Sequence, residues 1–175
     1  MIRRDAEKQI NDWIDNGKDA LLITGARQIG KTYLIRNCLK EKNTPYIELN
    51  FIENSEYIEL FSKSFSSKDI IMRLSLIGGE KLIPGKTVIF LDEVQECKEL
   101  ITAIKFLVED GSFKYILSGS LLGIELSDLK SAPVGYMSIF DMYPLSFKEF
   151  IKALGVSNEI IDILKQSYKN RTEEI

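Results

Sequence analysis

The stretch ALLITGARQIGKTYLIRNCLKEK, residues 20–42, decides the architecture of this 175-residue chain. It opens on ALLIT (20–24), an apolar run of buried-strand length. It closes on KTYLIRNCLKEK (31–42), where Leu34, Ile35, Cys38 and Leu39 recur at helical spacing. Between them lies the octet GARQIGKT, Gly25 to Thr32, which fits G-x-x-x-x-G-K-[ST]. Each fixed position has a physical reason. Gly25 and Gly30 let the backbone curl so that successive N–H groups face phosphate oxygens. Lys31 supplies a point charge for the β- and γ-phosphates, and the Thr32 hydroxyl can ligate Mg²⁺. The positive end of the following helix points at the same phosphates. The nucleotide-binding stretch is therefore read as Gly25, Ala26, Arg27, Gln28, Ile29, Gly30, Lys31, Thr32 and Tyr33.

Outward from this loop, strand and helix patterns alternate. Residues 3–15 read as an amphipathic helix through Ala6, Ile10, Trp13 and Ile14, ended by Asn16-Gly17 with a left-handed cap expected there. PYIELN (45–50), TVIFLDE (87–93) and FKYILSGS (113–120) read as strands, and PVGYMSIFDMY (133–143) as a last one. Residues 55–66, 68–77 and 99–110 read as helices, with Ile101, Ile104, Leu107 and Val108 on one face of the last. After Pro144 the chain is helical: LSFKEFIKAL carries Ser146 and Glu149 at capping-box spacing, and 157–172 forms a further helix with Ser157 as cap. This order predicts an α/β fold: a parallel sheet of about five strands with helices on both faces. Its ligands bind at the carboxyl ends of the strands. Residues 1–144 are expected to form the core. Residues 145–175 would be the start of a helical region, the beginning of a lid, in a chain that reads as the front portion of a longer one.

A second signal lies about sixty residues beyond the loop. TVIFLDE places Asp92 at the end of an apolar strand, where a carboxylate can hold Mg²⁺ opposite Thr32. Glu93 follows directly and is suited to orienting and polarising an attacking water. Softer candidates close neighbouring strands. Ser118 or Ser120 can hydrogen-bond the γ-phosphate or the water, and the Asn50 amide can hold Glu93 away from water. Either can equally be an ordinary strand end. Phe51, Tyr57, Phe61 and Phe65 read as a core stripe. Arg27 is expected to pack or form an ion pair rather than reach a phosphate. Trp13 and Ile14 lie where a base would be read, which leaves ATP and GTP undistinguished.

Composition narrows the function classes. Hydrophobic residues make up 45% and charged residues 28%, a balance that supports one folded domain and excludes a disordered chain. His is 0, which removes Ser-His triads, His-ligated zinc and histidine bases together. Cys38 and Cys97 have no metal spacing and read as reduced, buried thiols. The net charge of −3, mildly basic over 1–43 and acidic beyond, gives no support to a dedicated DNA-binding surface. No apolar run reaches the ~18 residues of a spanning helix, and the N-terminus is charged throughout. A cytoplasmic protein without membrane contact is expected.

GARQIGKT, then FLDEVQ, then LSGSLLG resemble the bacterial and archaeal AAA+-type ATPases whose loop reads G-A/P-R-Q-x-G-K-T and whose acidic strand ends D-E-x-Q. YPLSFKEF (143–150) resembles that family's P-L-S-F-x-E-F segment, and Gln28 and Gln95 sharpen the likeness. The resemblance runs from about Arg3 to Ala153. It implies ATP and Mg²⁺ as ligands. Lys31 and Thr32 would be the phosphate and metal residues, Asp92 the metal carboxylate and Glu93 the catalytic glutamate. Ser120, with Ser118 as the alternative, would be the polar sensor, and Asn50 the residue restraining the glutamate. It also implies that the sensor strand lies between the two motif strands, and that a winged-helix region and a nuclease-like domain follow in relatives. Where many relatives carry Gly-Arg, this chain has Gly135-Tyr136.

Three functions compete. The first is a slow Mg²⁺-dependent ATPase, lacking an evident arginine finger among its six arginines (Arg3, Arg4, Arg27, Arg36, Arg73, Arg171). The second is a nucleotide-dependent binding switch that hydrolysis only resets. The third is a phosphotransferase, which would want an arginine-rich acceptor lid, whereas residues 51–86 contain only Arg73. A small-molecule kinase usually lacks a Glu93 equivalent, and no N-K-x-D guanine-reading motif is present. Partners left open are a second copy in a homo-oligomer, the C-terminal domains of a full-length relative, and DNA.

Overall fold

Alternating apolar runs form the strands and the 3.6-residue patterns form the helices. The computed structural model describes residues 3–61, 66–120 and 135–173. The elements are α1 (Ala6–Asn16), β1 (Ala20–Gly25), α2 (Lys31–Glu41), β2 (Tyr46–Asn50), α3 (Ser67–Gly78), β3 (Val88–Asp92), α4 (Lys98–Asp110), β4 (Lys114–Ser120), β5 (Met137–Asp141), α5 (Phe147–Ala153) and α6 (Asn158–Glu173). The five strands pair in the order β2-β3-β4-β1-β5, all parallel. β4 thus lies between β1 and β3, as the resemblance implied.

The period of two along each central strand divides the core into two layers. Leu22, Ile89, Leu91, Tyr115 and Leu117 point to one face, where they pack with Leu74 of α3 and with Leu100, Ile104 and Leu107 of α4. Leu21, Ile23, Phe90 and Ile116 point to the other, against Ile10, Trp13 and Ile14 of α1 and Leu34, Ile35, Cys38 and Leu39 of α2. Cys38 and Cys97 are free and buried, and burial pushes their thiols up to about 12 and about 11. Both are therefore protonated and inert near neutrality.

Several local expectations change. Gly17 ends α1, but with φ −62° and ψ 136°, not with a left-handed cap. Its role is close approach: a Cβ there would lie 2.3 Å from Trp13 Cδ1. The expected helix at 55–66 is a 3-10 turn over Ser55–Leu60. Here Asn54 accepts the Glu56 N–H, while Tyr57 and Phe61 donate to carbonyls three residues back, so the backbone donors are used in tight turns. Phe51 and Phe61 are buried edge to face at 5.8 Å, as a core stripe requires, while Phe65 lies outside the described residues. The last strand is shorter than 133–143, and positions 133–134 also lie outside the described residues. The capping box at Ser146 and Glu149 forms as read, and a second, at Ser66 and Asp69, opens α3. Among the described residues no helix is long and apolar enough to cross a membrane.

Candidate nucleotide-binding site

The parallel order brings the ends of four strands together beside the loop 25–32. Register sets Gly25 against Ser120, Thr24 against Gly119, and Asn50 against Asp92. At Gly25 the backbone takes φ 149°, and a Cβ there would lie 2.3 Å from Met142 O of the chain leaving β5. Gly30 takes φ 91° and caps α2 with no side-chain hydrogen bond. The first helical N–H to donate back is that of Leu34, to Gly30 O, so the N–H groups of the first turn face outward from an uncapped helix start. Lys31, though charged, is buried. Its Nζ donates to Gly25 O at 3.1 Å and Ala26 O at 2.8 Å, which draws the ammonium over the loop. Burial lowers its pKa, against the raising influence of Glu93 and Asp92. Gly25→Ala is expected to abolish nucleotide binding or folding, because backbone rather than a flexible side chain fills the space. Circular dichroism and a fluorescent-nucleotide titration check this, and a folded variant of wild-type affinity would contradict it.

Asp92 is the centre of the polar cluster. Its carboxylate is buried and meets four donors: the hydroxyl of Thr32 at 3.0 Å, the amide of Asn50 at 3.0 Å, the hydroxyl of Ser118 and the N–H of Glu93 at 3.2 Å. Burial raises its pKa, and the hydrogen bonds from Ser118 and Thr32 oppose that rise. Thr32 and Asp92 thus present hard oxygens side by side from opposite walls. Among the described residues no three His, Cys, Asp or Glu side chains gather to hold a metal. A hydroxyl and one carboxylate suit Mg²⁺, which takes few protein ligands and completes its shell with phosphate and water.

The sequence reading of Asn50 changes here. Its amide engages Asp92, not Glu93, and its Oδ1 accepts the N–H groups of Ile52 and Glu53. Glu93 sits half-buried with φ 59° and ψ 45°, a left-handed conformation uncommon outside glycine. Its Oε2 accepts from Gln95 Nε2 at 2.6 Å, and Gln95 Oε1 accepts the Ser120 N–H at 3.1 Å. Ser120 is buried, and its Oγ has no hydrogen-bond partner among the described residues. Of the two serine candidates, Ser118 is occupied by Asp92 and Ser120 retains a free hydroxyl. Residues 121–123 of the LSGSLLG motif lie outside the described residues.

Gly25, Gly30, Lys31, Thr32, Asp92 and Glu93 therefore converge at the carboxyl edge of a sheet ordered β3-β4-β1 at its centre. A family model described as an AAA domain matches residues 17–151. The chain belongs to the AAA domain family. No curated protein matches it.

In this AAA domain, two features escaped sequence reasoning. One is Arg4. Its guanidinium donates to Glu149 Oε1 at 3.1 Å, to Ile29 O inside the loop at 3.1 Å and to Tyr143 O at 2.6 Å. No local pattern announces a contact across 145 residues. The other is a cavity of about 280 Å³ at the mouth of the loop, lined by Arg4, Gly30, Tyr33, Leu34 and Leu145. Trp13 and Ile14, where the sequence would place a base, do not line it. Both of those are buried in the core, and Trp13 Nε1 is bonded to Asp19 O. Arg27 is exposed and forms no ion pair among the described residues, contrary to the expectation that it packs or pairs. Tyr136, in the Gly-Arg position, donates to Glu109 at 2.7 Å and lies beneath Lys105.

Proposed function

We propose that this AAA domain binds ATP with Mg²⁺ at residues 25–33 and hydrolyses the nucleotide slowly. The observation that carries the reading is the 3.0 Å contact between Thr32 of the loop and Asp92 at the end of β3, with Glu93 next to it. In this reading the N–H groups at the start of α2 and the Lys31 ammonium hold the phosphates. Thr32 and Asp92 hold Mg²⁺, which when bound neutralises charge on the β- and γ-phosphate oxygens. Glu93 orients a water in line with the γ-phosphate and accepts its proton. Ser120, with its unpartnered hydroxyl, hydrogen-bonds the γ-phosphate, while Asn50 and Ser118 hold the Asp92 carboxylate in place. The cavity lined by Tyr33, Leu34 and Leu145 takes the base by apolar contact.

Turnover is slow in this account because none of the described arginines is both held in place and free to meet transition-state charge. Arg4 and Arg36 are committed to Glu149 and Glu48, and Arg27 is exposed with no ion pair among the described residues to fix it. A homo-oligomer in which a neighbouring copy supplies that arginine fits the same reading, since a finger raises such rates by about 10³–10⁵. The chain alone is expected to turn over below about 1 s⁻¹, at the floor of ordinary enzymes. Phosphate release with and without Mg²⁺ tests this. Faster turnover, or turnover indifferent to Mg²⁺, contradicts it. The second reading, a binding switch reset by hydrolysis, is favoured by the Gln95 bridge from Glu93 to Ser120, because events at Ser120 would reach the glutamate.

A further inference from the structure

We infer that Gln95 is a positioning residue that couples the Glu93 carboxylate to the end of β4, in place of the Asn50 restraint. The inference rests on the reading of Glu93 as the base. Three observations support it. First, Glu93 leaves β3 in a left-handed conformation and the chain enters a 3-10 turn, Val94–Glu96, anchored by the buried Val94. That turn brings Gln95 back alongside Glu93. Second, Gln95 uses both ends of its amide: Nε2 donates to Glu93 Oε2 at 2.6 Å, and Oε1 accepts the Ser120 N–H at 3.1 Å. The amide suits both contacts, since its NH₂ donates to a carboxylate and its carbonyl accepts a backbone N–H, whereas ionised Glu cannot donate and Lys cannot accept. The two partners also fix which end of the amide faces which group. Third, the Asn50 amide is engaged by Asp92, so the described structure leaves the restraint of Glu93 to Gln95.

The consequence is mechanical. Glu93 lies at the end of β3 next to Asp92, and its charge acts on Lys31 and on Asp92. With Oε2 held by Gln95, Oε1 is the oxygen left to accept from a water. The other end of the tether is the backbone of Ser120, whose buried hydroxyl has no partner among the described residues. Engagement of that hydroxyl by a phosphate oxygen displaces the Ser120 N–H, and Gln95 transmits the displacement to the base.

The test is a double-mutant cycle on the full chain, measuring ATP turnover and fluorescent-ATP affinity. Gln95→Met keeps length and packing and loses both hydrogen bonds; Gln95→Ala is the second variant. Both are expected to lower kcat about 10–100-fold, the effect of a misplaced catalytic group, with KM and nucleotide affinity changed less than about threefold. In the Glu93→Gln background Gln95→Met is expected to have almost no further effect on kcat, because its action runs through the base. A merely structural role would instead add its loss there. Wild-type kcat in both single variants, or full additivity in the double variant, overturns the inference alone. A wild-type chain that binds ATP without Glu93-dependent turnover overturns the reading of Glu93, and the inference with it.

Discussion

Replacing Glu93 by Gln is expected to lower ATP turnover by about 10²–10⁴-fold, the usual worth of a general base. Affinity for ATP with Mg²⁺ should stay within about threefold, because the loop, Lys31, Thr32 and Asp92 are untouched. The amide is isosteric with the carboxylate and accepts no proton from water. It also meets Gln95 amide to amide, a weaker pair than the present 2.6 Å contact with a carboxylate. Phosphate release and equilibrium binding, measured on the same preparation, separate the two effects. Loss of binding together with turnover would mean that Glu93 supports the fold of the site rather than its chemistry. If the domain works as a switch, the variant should hold its ATP-bound form indefinitely, and partner capture would then persist rather than vanish.

Arg4→Met is expected to destabilise the fold by about 3–5 kcal/mol, the cost of breaking a buried ion pair from one side. The Arg4 and Glu149 side chains are only 12% and 8% exposed, so solvent does little to replace the lost partner. The guanidinium also satisfies Ile29 O and Tyr143 O, joining the phosphate loop to the segment that leads into α5. A midpoint lower by roughly 6–20 °C follows for a chain of this size, and nucleotide affinity should fall with it. Glu149 sets the pH dependence. Burial alone would raise its carboxyl, but the N–H groups of Ser146 and Asp5, the Ser146 hydroxyl and Arg4 together hold it below the usual range. Its stabilisation is therefore complete above the unfolded value of about 4.3 and is lost as pH falls through the lower folded value. Thermal unfolding should show the gap between wild type and variant at pH 7 and its narrowing in acid. A gap of less than about 2 °C at pH 7 would contradict the account, being smaller than ~1 kcal/mol produces.

The parts of this fold legible in the chain were those whose signal is local. ALLIT, GARQIGKT and VIFLDE each carry their pattern within a few residues, and Ser146 and Glu149 announce their helix by a three-residue spacing. What depends on register or long-range packing was not legible. The strand-end position of Asn50 suggests Glu93 as its partner, yet parallel pairing sets it directly beside Asp92, one residue earlier. Trp13 looked available to a base, yet its ring is enclosed by the sheet, α2 and the close backbone of Gly17. Gln95 contributed to a resemblance without a role, because the left-handed turn at Glu93 that brings it back has no glycine to mark it. Arg4 had no signal at all, since its partners Ile29, Tyr143 and Glu149 come from two distant segments.

The central claim is that the loop at 25–32 is a formed nucleotide site. Isothermal titration of the chain with ATP and Mg²⁺, beside Lys31→Ala, tests it most directly. The account predicts saturable binding of one nucleotide per chain, weakened about tenfold or more when the buried ammonium is removed, as for hydrogen bonds to charged groups. A folded wild-type chain that binds no ATP, or a Lys31→Ala variant that binds as tightly, would contradict it.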